Sequence, residues 1–401
     1  MTAIQKLDTN PIAHLSAEDI EDIGRELDAI RQSVIDTRGE RDAAYIRKVI
    51  KTQRYLEMGS RGLLLVSLFP PAFLAGTVGL SVSKILENME IGHNVLHGQW
   101  DWMRDPKIHS TTWEWDNATP ADQWKHSHNE VHHTYTNVLG EDHDLGYALF
   151  RADEDQPWYP YYLAQPLWNA IAACFFEQAI AMHDVDLAKQ LKTPKDKRDP
   201  QFQPKLKASL AKIRRQALKD YVIHPILSGP SAPTTLLANF LANVGRNVWT
   251  HSVIMCGHFP EGVATFEKAS IEGETKAEWY LRQMLGSANI DGGNAFHMMT
   301  GNLSFQIEHH IFPDLPSNRY KEVAPQVRAV FEKYGLPYVT GPFHRQLGSA
   351  WKKVVRLSLP NGFVASTTPK NAPKRVAQLY RMSTGGRSVR REIQAELDAA
   401  A

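Results

Sequence analysis

The sequence predicts an all-α integral membrane protein: about four membrane-inserted helices and a cytosolic helical cap that holds a histidine-ligated metal site. The first observation is seven histidines in three tight clusters: His93 and His97; His128, His132 and His133; His309 and His310. The second is segregation. Mean hydropathy is only −0.38, yet apolar segments at 61–92, 161–182 and 221–258 stand apart from long polar stretches. The third is helical spacing, because His93 and His97, like His128 and His132, are four residues apart and share a helix face. Neutral imidazole is the commonest protein metal ligand, and seven gathered beside apolar segments argue for more than one ion at a membrane surface.

The 401 residues suffice for one large domain or two moderate ones. They divide into a cytosolic helical segment over 1–60, a membrane domain over 61–345, and a C-terminal segment over 346–401 with a loosely ordered tail. A formal net charge of +1 gives no global attraction to nucleic acid. Two cysteines, Cys174 and Cys256, are too few for an iron–sulfur cluster or a zinc ribbon. The stretch Met1-Thr-Ala-Ile-Gln-Lys6 lacks the apolar core of a signal peptide.

Along the chain, residues 16–60 read as one or two amphipathic helices, opened by Ser16 with Asp19 three residues on, the pattern of an N-terminal capping box. The segment 61–92 reads as a hairpin, with one helix through Phe69, a break at Pro70-Pro71, and a second helix from Ala72 toward His97. The second limb approaches the roughly 20 helical residues that a bilayer core takes. The first limb reaches that length only by including Arg54, Glu57 and Arg61. Residues 98–160 are polar but hold Trp100, Trp102, Trp113, Trp115, Trp124 and Trp158, whose indoles suit either a membrane interface or ordinary packing. A second apolar stretch covers 161–182, and 187–220 is strongly basic. Residues 221–258 are apolar again, with a turn signal at Gly229-Pro230-Ser-Ala-Pro233.

Topology leaves two alternatives. The histidine clusters need one side of the membrane. If 161–182 and 234–258 each cross once, the basic loop lies outside, against the positive-inside tendency. If 221–258 is a hairpin, the loop stays inside and 161–182 dips in and returns.

The donor set narrows the metal. Thiolate chemistry is disfavoured, imidazoles suit iron, copper or zinc, and seven ligands exceed the four of a tetrahedral zinc. Two irons fit the count best. An isolated H-x-x-x-H carries little information; three such clusters in order carry much more. His133 is turned by about 100° from His132 in an ideal helix, toward a second ion. Glu90, three residues before His93, is placed either to orient it or to serve as a helix-end cap or salt-bridge partner, and Asp142, His143 and Asp144 either support the second cluster or form a solvated loop. His109 and His126 read as surface histidines.

The three clusters resemble the histidine boxes of the membrane fatty acid desaturases. The third, Gln306-Ile-Glu-His309-His310-Ile-Phe-Pro-Asp-Leu-Pro, is similar to the third box of front-end and linoleoyl-CoA-type enzymes, where glutamine replaces the first histidine. The stretches Gly257-His258-Phe-Pro-Glu-Gly-Val and Trp279-Tyr-Leu-Arg-Gln-Met also resemble that family. The run from Glu87 to Trp102 is most similar to bacterial acyl-CoA desaturases of the mycobacterial and pseudomonad kind. The resemblance covers roughly residues 60–345. It implies two irons held by His93, His97, His128, His132, His133, His258, His309 and His310, with no catalytic residue beyond these ligands. It implies dioxygen as co-substrate, a fatty acyl-CoA or acyl-lipid substrate, Δ9 desaturation, and a bacterial inner membrane with the site facing the cytoplasm. A comparable helix in that family carries an asparagine four residues before a ligand histidine, which leaves Asn247 with His251 as the competitor to His258. The chain has no His-Pro-Gly-Gly haem motif and no G-x-G-x-x-G fingerprint, so electrons from NAD(P)H must arrive through a separate reductase. A di-iron hydroxylase of alkanes, carotenoids or acyl chains, and an acyl-lipid or front-end desaturase, are the alternatives within the same chemistry. A membrane metal transporter would spread its ligands across the midplane instead.

Overall fold

The computed structural model describes residues 12, 14–147, 150–153 and 156–360. The expected loose tail from about Ala365 and the N-terminal stretch Met1–Lys6 lie outside the described residues.

Helix α1 (Ala17–Thr37) begins with the expected box: Asp19 N donates to Ser16 Oγ at 3.1 Å, and Ser16 N to the Asp19 carboxylate at 2.8 Å. Its apolar face, Ile23, Leu27 and Val34, packs into the cap core. Helix α2 (Glu40–Leu64) and helix α3 (Pro70–Leu86) form the first hairpin. The chain does not break at the prolines as expected. The first limb ends at Leu64, and Pro70 and Pro71 open α3, where a missing N–H costs nothing and a fixed φ suits the first turn. Helix α3 runs on through a π-helical turn, Glu87–His93, to Leu96. Helix α4 covers 121–135, and its centre, Lys125–His132, is also π-helical.

Helices α5 (Gln165–Cys174) and α6 (Phe176–His183) meet at Phe175, where φ of −121° and ψ of 37° interrupt the helix. Helix α7 (Phe202–Leu218) continues through a π-turn, Lys219–Ile223, to Leu227. Helix α8 (Ala232–His258) returns antiparallel to it, so 221–258 is a hairpin. At 10 and 8 residues, α5 and α6 are only about 15 and 12 Å long, so neither spans a bilayer core of about 30 Å. The hairpin over 221–258 is the arrangement that the second sequence alternative requires.

The hairpin tips touch. Ser67 Oγ lies 2.7 Å from Thr234 Oγ1, and Thr235 Oγ1 donates to the Leu64 carbonyl at 2.8 Å. Higher up, buried Asp220 accepts from Lys84 at 2.8 Å and from Arg61 at 3.0 Å, tying α7 to both limbs of the first hairpin. The inner limbs α3 and α8 climb from the tips and end at His93–His97 and His258. Two hairpins that enter and leave at one end thereby deliver their histidines to that end.

No described helix is both long and apolar enough to cross a membrane by itself. This differs from the expected four inserted helices, and the reason lies in the residues. Helix α3 is 17 residues long. Helix α2 carries charges along its upper half. Helix α8 turns Asn239, Arg246, Asn247 and His251 inward while Leu236, Leu237, Phe240, Leu241 and Val248 face outward. Polar inner faces lower the mean hydropathy of helices whose outer faces are apolar.

The cap closes over the upper end. Helix α9 (Lys276–Leu285), helix α10 (Gln306–Ile311) and helix α11 (Tyr320–Lys333) pack with α1 around Tyr280, Ile307, Phe312, Val327 and Phe331. Strand β1 (Asn289–Asp291) pairs in parallel with β2 (Thr340–Pro342), which leads into helix α12 (Phe343–Leu357). Of the tryptophans, Trp100, Trp115 and Trp124 are buried, which favours packing over an interface for those three.

Candidate metal centre

Four elements project imidazoles into one space: the π-turned end of α3, α4 with its π-helical centre, the C-terminal end of α8, and α10. Such turns add a residue to the helical circuit and are frequent at functional sites. His93, His97, His128 and His309 bring ligand nitrogens within 4.8 Å of one another, and His132, His258 and His310 do the same. His133 stands between the groups, its ring centroid 4.7 Å from His97 and 4.4 Å from His310. All eight histidines singled out in the sequence therefore converge. The partition differs from simple helical reasoning. His128 and His132 fall in different all-imidazole groups, although the two also approach each other closely with Asp144, and adjacent His309 and His310 divide between the imidazole groups.

The donor set fits metal ions. His97 Nε2, His128 Nε2, His309 Nε2 and both nitrogens of His133 are buried without a hydrogen-bond partner. A buried polar atom left unmet costs about 1–3 kcal/mol, and a coordinated cation meets it. Burial, reinforced by neighbouring imidazoles, holds His97, His128, His133, His309 and His310 well below the usual histidine range. Neutral imidazole is the ligating form.

A surrounding layer fixes the rings. Burial pushes His132 down, but the Asp142 carboxylate at 3.0 and 3.1 Å from Nδ1, with Asp144, outweighs it and raises the group to about 9. The contact orients the ring with Nδ1 outward, the arrangement typical of ligating histidines. His310 Nδ1 lies 3.1 Å from Gln283 Oε1, and Gln283 also donates to the His133 carbonyl at 3.0 Å. Asp144 lies 3.6 Å from His128 Nδ1. Trp124 stacks on His128 at 4.4 Å. Gln306 Nε2 is 2.9 Å from His258 Nε2. Sequence reasoning reached Asp142 and Asp144 by proximity. It missed Gln283, which has no spacing relation to the boxes and is brought in by α9.

Glu90 does not orient His93. Its carboxylate accepts from Tyr45 at 2.9 Å, Asn302 at 2.9 Å and Ser317 at 2.6 Å. It bolts α3 to α2 and the cap. His126 is exposed and pairs with Glu130; His109 bonds Thr111. His251 Nε2 lies 2.9 Å from Asn169 Oδ1, away from the imidazole groups, and Asn247 donates to the Cys174 carbonyl at 2.9 Å.

A cavity opens beside the centre. Met89, Trp115, Tyr147, Phe176 and Ile254 give it apolar walls, and His93, His128, His132, His258 and Gln306 also line it. An apolar pocket with a few convergent polar groups is the usual form of a small-molecule site.

Comparison with known proteins points to one family. The family model for fatty acid desaturases matches residues 67–342. An NADPH-dependent stearoyl-CoA 9-desaturase of Mycobacterium tuberculosis is 48% identical over 376 residues, covering 92% of this chain and 88% of that protein. An sn-1 linoleoyl-lipid 6-desaturase of Synechocystis is 25% identical over 277 residues, 68% of this chain and 76% of that protein. Human fatty acid desaturase 3 is 31% identical over 111 residues, 28% of this chain and 23% of that protein.

Proposed function

The chain belongs to the fatty acid desaturase family, and from that premise we propose that it is an acyl-CoA Δ9-desaturase acting on stearoyl-CoA or a similar long-chain thioester. The observation that carries this reading is the largely apolar cavity lined by four imidazoles and Gln306. The assignment of CoA and of position 9 rests on similarity to the mycobacterial enzyme over nearly the whole chain.

The eight imidazoles would hold two irons, His93, His97, His128 and His309 one of them, His132, His258 and His310 the other, with His133 between. When bound, the metals and dioxygen supply an oxidant strong enough to take hydrogen from an unactivated C–H bond. The protein's part is placement. Trp115, Phe176 and Ile254 line an acyl chain and exclude water from it. Asp142 and Gln283 hold His132 and His310 so that their free nitrogens face inward. The net reaction consumes dioxygen, two electrons and two protons and releases two waters. The electrons come from NADPH through a separate reductase.

The apolar outer faces of both hairpins, from Leu63 to Phe69 and from Val222 to Leu227, support insertion of about four helices into a bilayer. The membrane is the bacterial inner membrane, with the metal centre on the cytoplasmic side.

The test is product analysis. Iron-loaded enzyme, a compatible reductase, NADPH and dioxygen should convert stearoyl-CoA to the 9-unsaturated product, with no turnover when the reductase is omitted. A hydroxylated product, or turnover only on a lipid-bound acyl chain, overturns the reading.

A further inference from the structure

We propose that the 187–219 segment is a collar for anionic lipid, its cations binding the phosphate head groups of the leaflet that the second hairpin enters. The proposal rests on the membrane placement above.

The first observation is charge. The segment holds eleven lysines and arginines against two aspartates. Lys212 pairs with Glu114 and Lys219 with Asp116. Lys192, Lys195, Lys197, Lys207, Arg214 and Arg215 are all exposed, and none forms an ion pair with a described residue. In a chain of net charge +1, such an unbalanced concentration is local.

The second observation is the passage from cationic to apolar surface along one helix axis. Helix α7 and its continuation run unbroken from Phe202 to Leu227. Exposed Lys207 and Arg214 stand on a stripe with exposed Leu210 and Leu218, and the stripe passes into Val222, Ile226 and Leu227, the last two among the most exposed large apolar side chains. Arg214 lies 13 residues before Leu227, about 20 Å at 1.5 Å per residue. Half a hydrocarbon core is about 15 Å. A helix entering one leaflet tip-first therefore places Leu227 near the midplane and Arg214 among the head groups. Long cationic side chains at that depth keep their stems in the apolar layer and their charges at the phosphates.

A basic surface alone would equally suit the phosphates of coenzyme A. The alternation of cations with exposed leucines, and its continuity with an apolar tip, favours a surface that is anionic above and oily below. Stearoyl-CoA is amphipathic too, but its acyl chain belongs in the cavity beside the metal centre, whereas this apolar stripe lies on the outer surface of α7 and leads to the hairpin tip.

The experiment uses the full-length iron-loaded enzyme in neutral detergent, titrated with phosphatidylglycerol, phosphatidylcholine or coenzyme A, with bound ligand counted by native mass spectrometry. Wild type should bind phosphatidylglycerol in preference to phosphatidylcholine, less so as salt is raised. Each cation beside an anionic surface contributes about fivefold, so Lys207→Gln/Arg214→Gln/Arg215→Gln should lose on the order of a hundredfold in phosphatidylglycerol affinity. Its turnover of stearoyl-CoA in detergent should stay at the wild-type level. Lys192→Gln/Lys195→Gln/Lys197→Gln, on the preceding surface, should shift in the same direction and guards against a folding artefact in the helix. Unchanged phosphatidylglycerol affinity in both variants overturns the proposal. So does a raised KM for stearoyl-CoA with lipid binding intact, which would place the substrate's phosphates on this surface. Extraction of wild type from membranes by alkaline carbonate would instead remove the membrane reading beneath it.

Discussion

His251 and His258 sit on one helix, seven residues apart, in different surroundings. His258 shares a group with His132 and His310, whereas His251 spends its Nε2 on Asn169 and its ring edge on Phe176. His258→Ala should therefore lose iron and turnover together, while His251→Ala keeps most of its iron; metal analysis of both purified variants decides, and the reverse pattern refutes the ligand assignment. Asp142 acts through His132. Asp142→Asn should lower metal affinity or turnover by about 10–100-fold, read by competition with a chelator at constant pH, and a wild-type affinity would show that the carboxylate only braces its loop. At this scale the sequence was legible where chemistry is clustered. Seven imidazoles in three short motifs announce themselves. Gln283 does not, because its contact with His310 is made by a fold that brings residues 27 positions apart together.

The hairpins are the elements that make one centre out of distant clusters, and Asp220 is the charge that joins them. It is buried against Lys84 and Arg61, and a buried ion pair broken on one side leaves an uncompensated charge. Asp220→Ala should destabilise the protein by about 3–5 kcal/mol, measured as a fall in the detergent-solubilised melting point, with the midpoint little changed if the network is merely decorative. Element identity was readable from apolar runs and prolines. Boundaries were less so: the double proline reads as a break, yet it caps the start of α3. The π-turns were not legible at all, since a sequence pattern of four-residue spacing is the same in an α-helix and in a helix that admits an extra residue. Those turns lie in the segments that carry His93, His128 and His132. The topology was open for a physical reason as well. Hydropathy averages both faces of a helix, and α8 is polar within and apolar without.

At the scale of the whole molecule, two helical hairpins form an apolar lower half and a packed cap closes the upper half, with the imidazoles where the two meet. The cap uses α1, far from the boxes in sequence, as one of its walls, so the N-terminal helix is part of the enzyme's body. The helical class was legible in the patterning because segregation of apolar and charged residues is a property of the whole chain. The metal's identity and number are the central claim, and the direct measurement is Mössbauer spectroscopy with iron quantitation on active enzyme grown in 57Fe. The account predicts close to two irons per chain, both in nitrogen-rich sites, with turnover proportional to iron content. One iron per chain at full activity, or active enzyme carrying stoichiometric zinc, would contradict it.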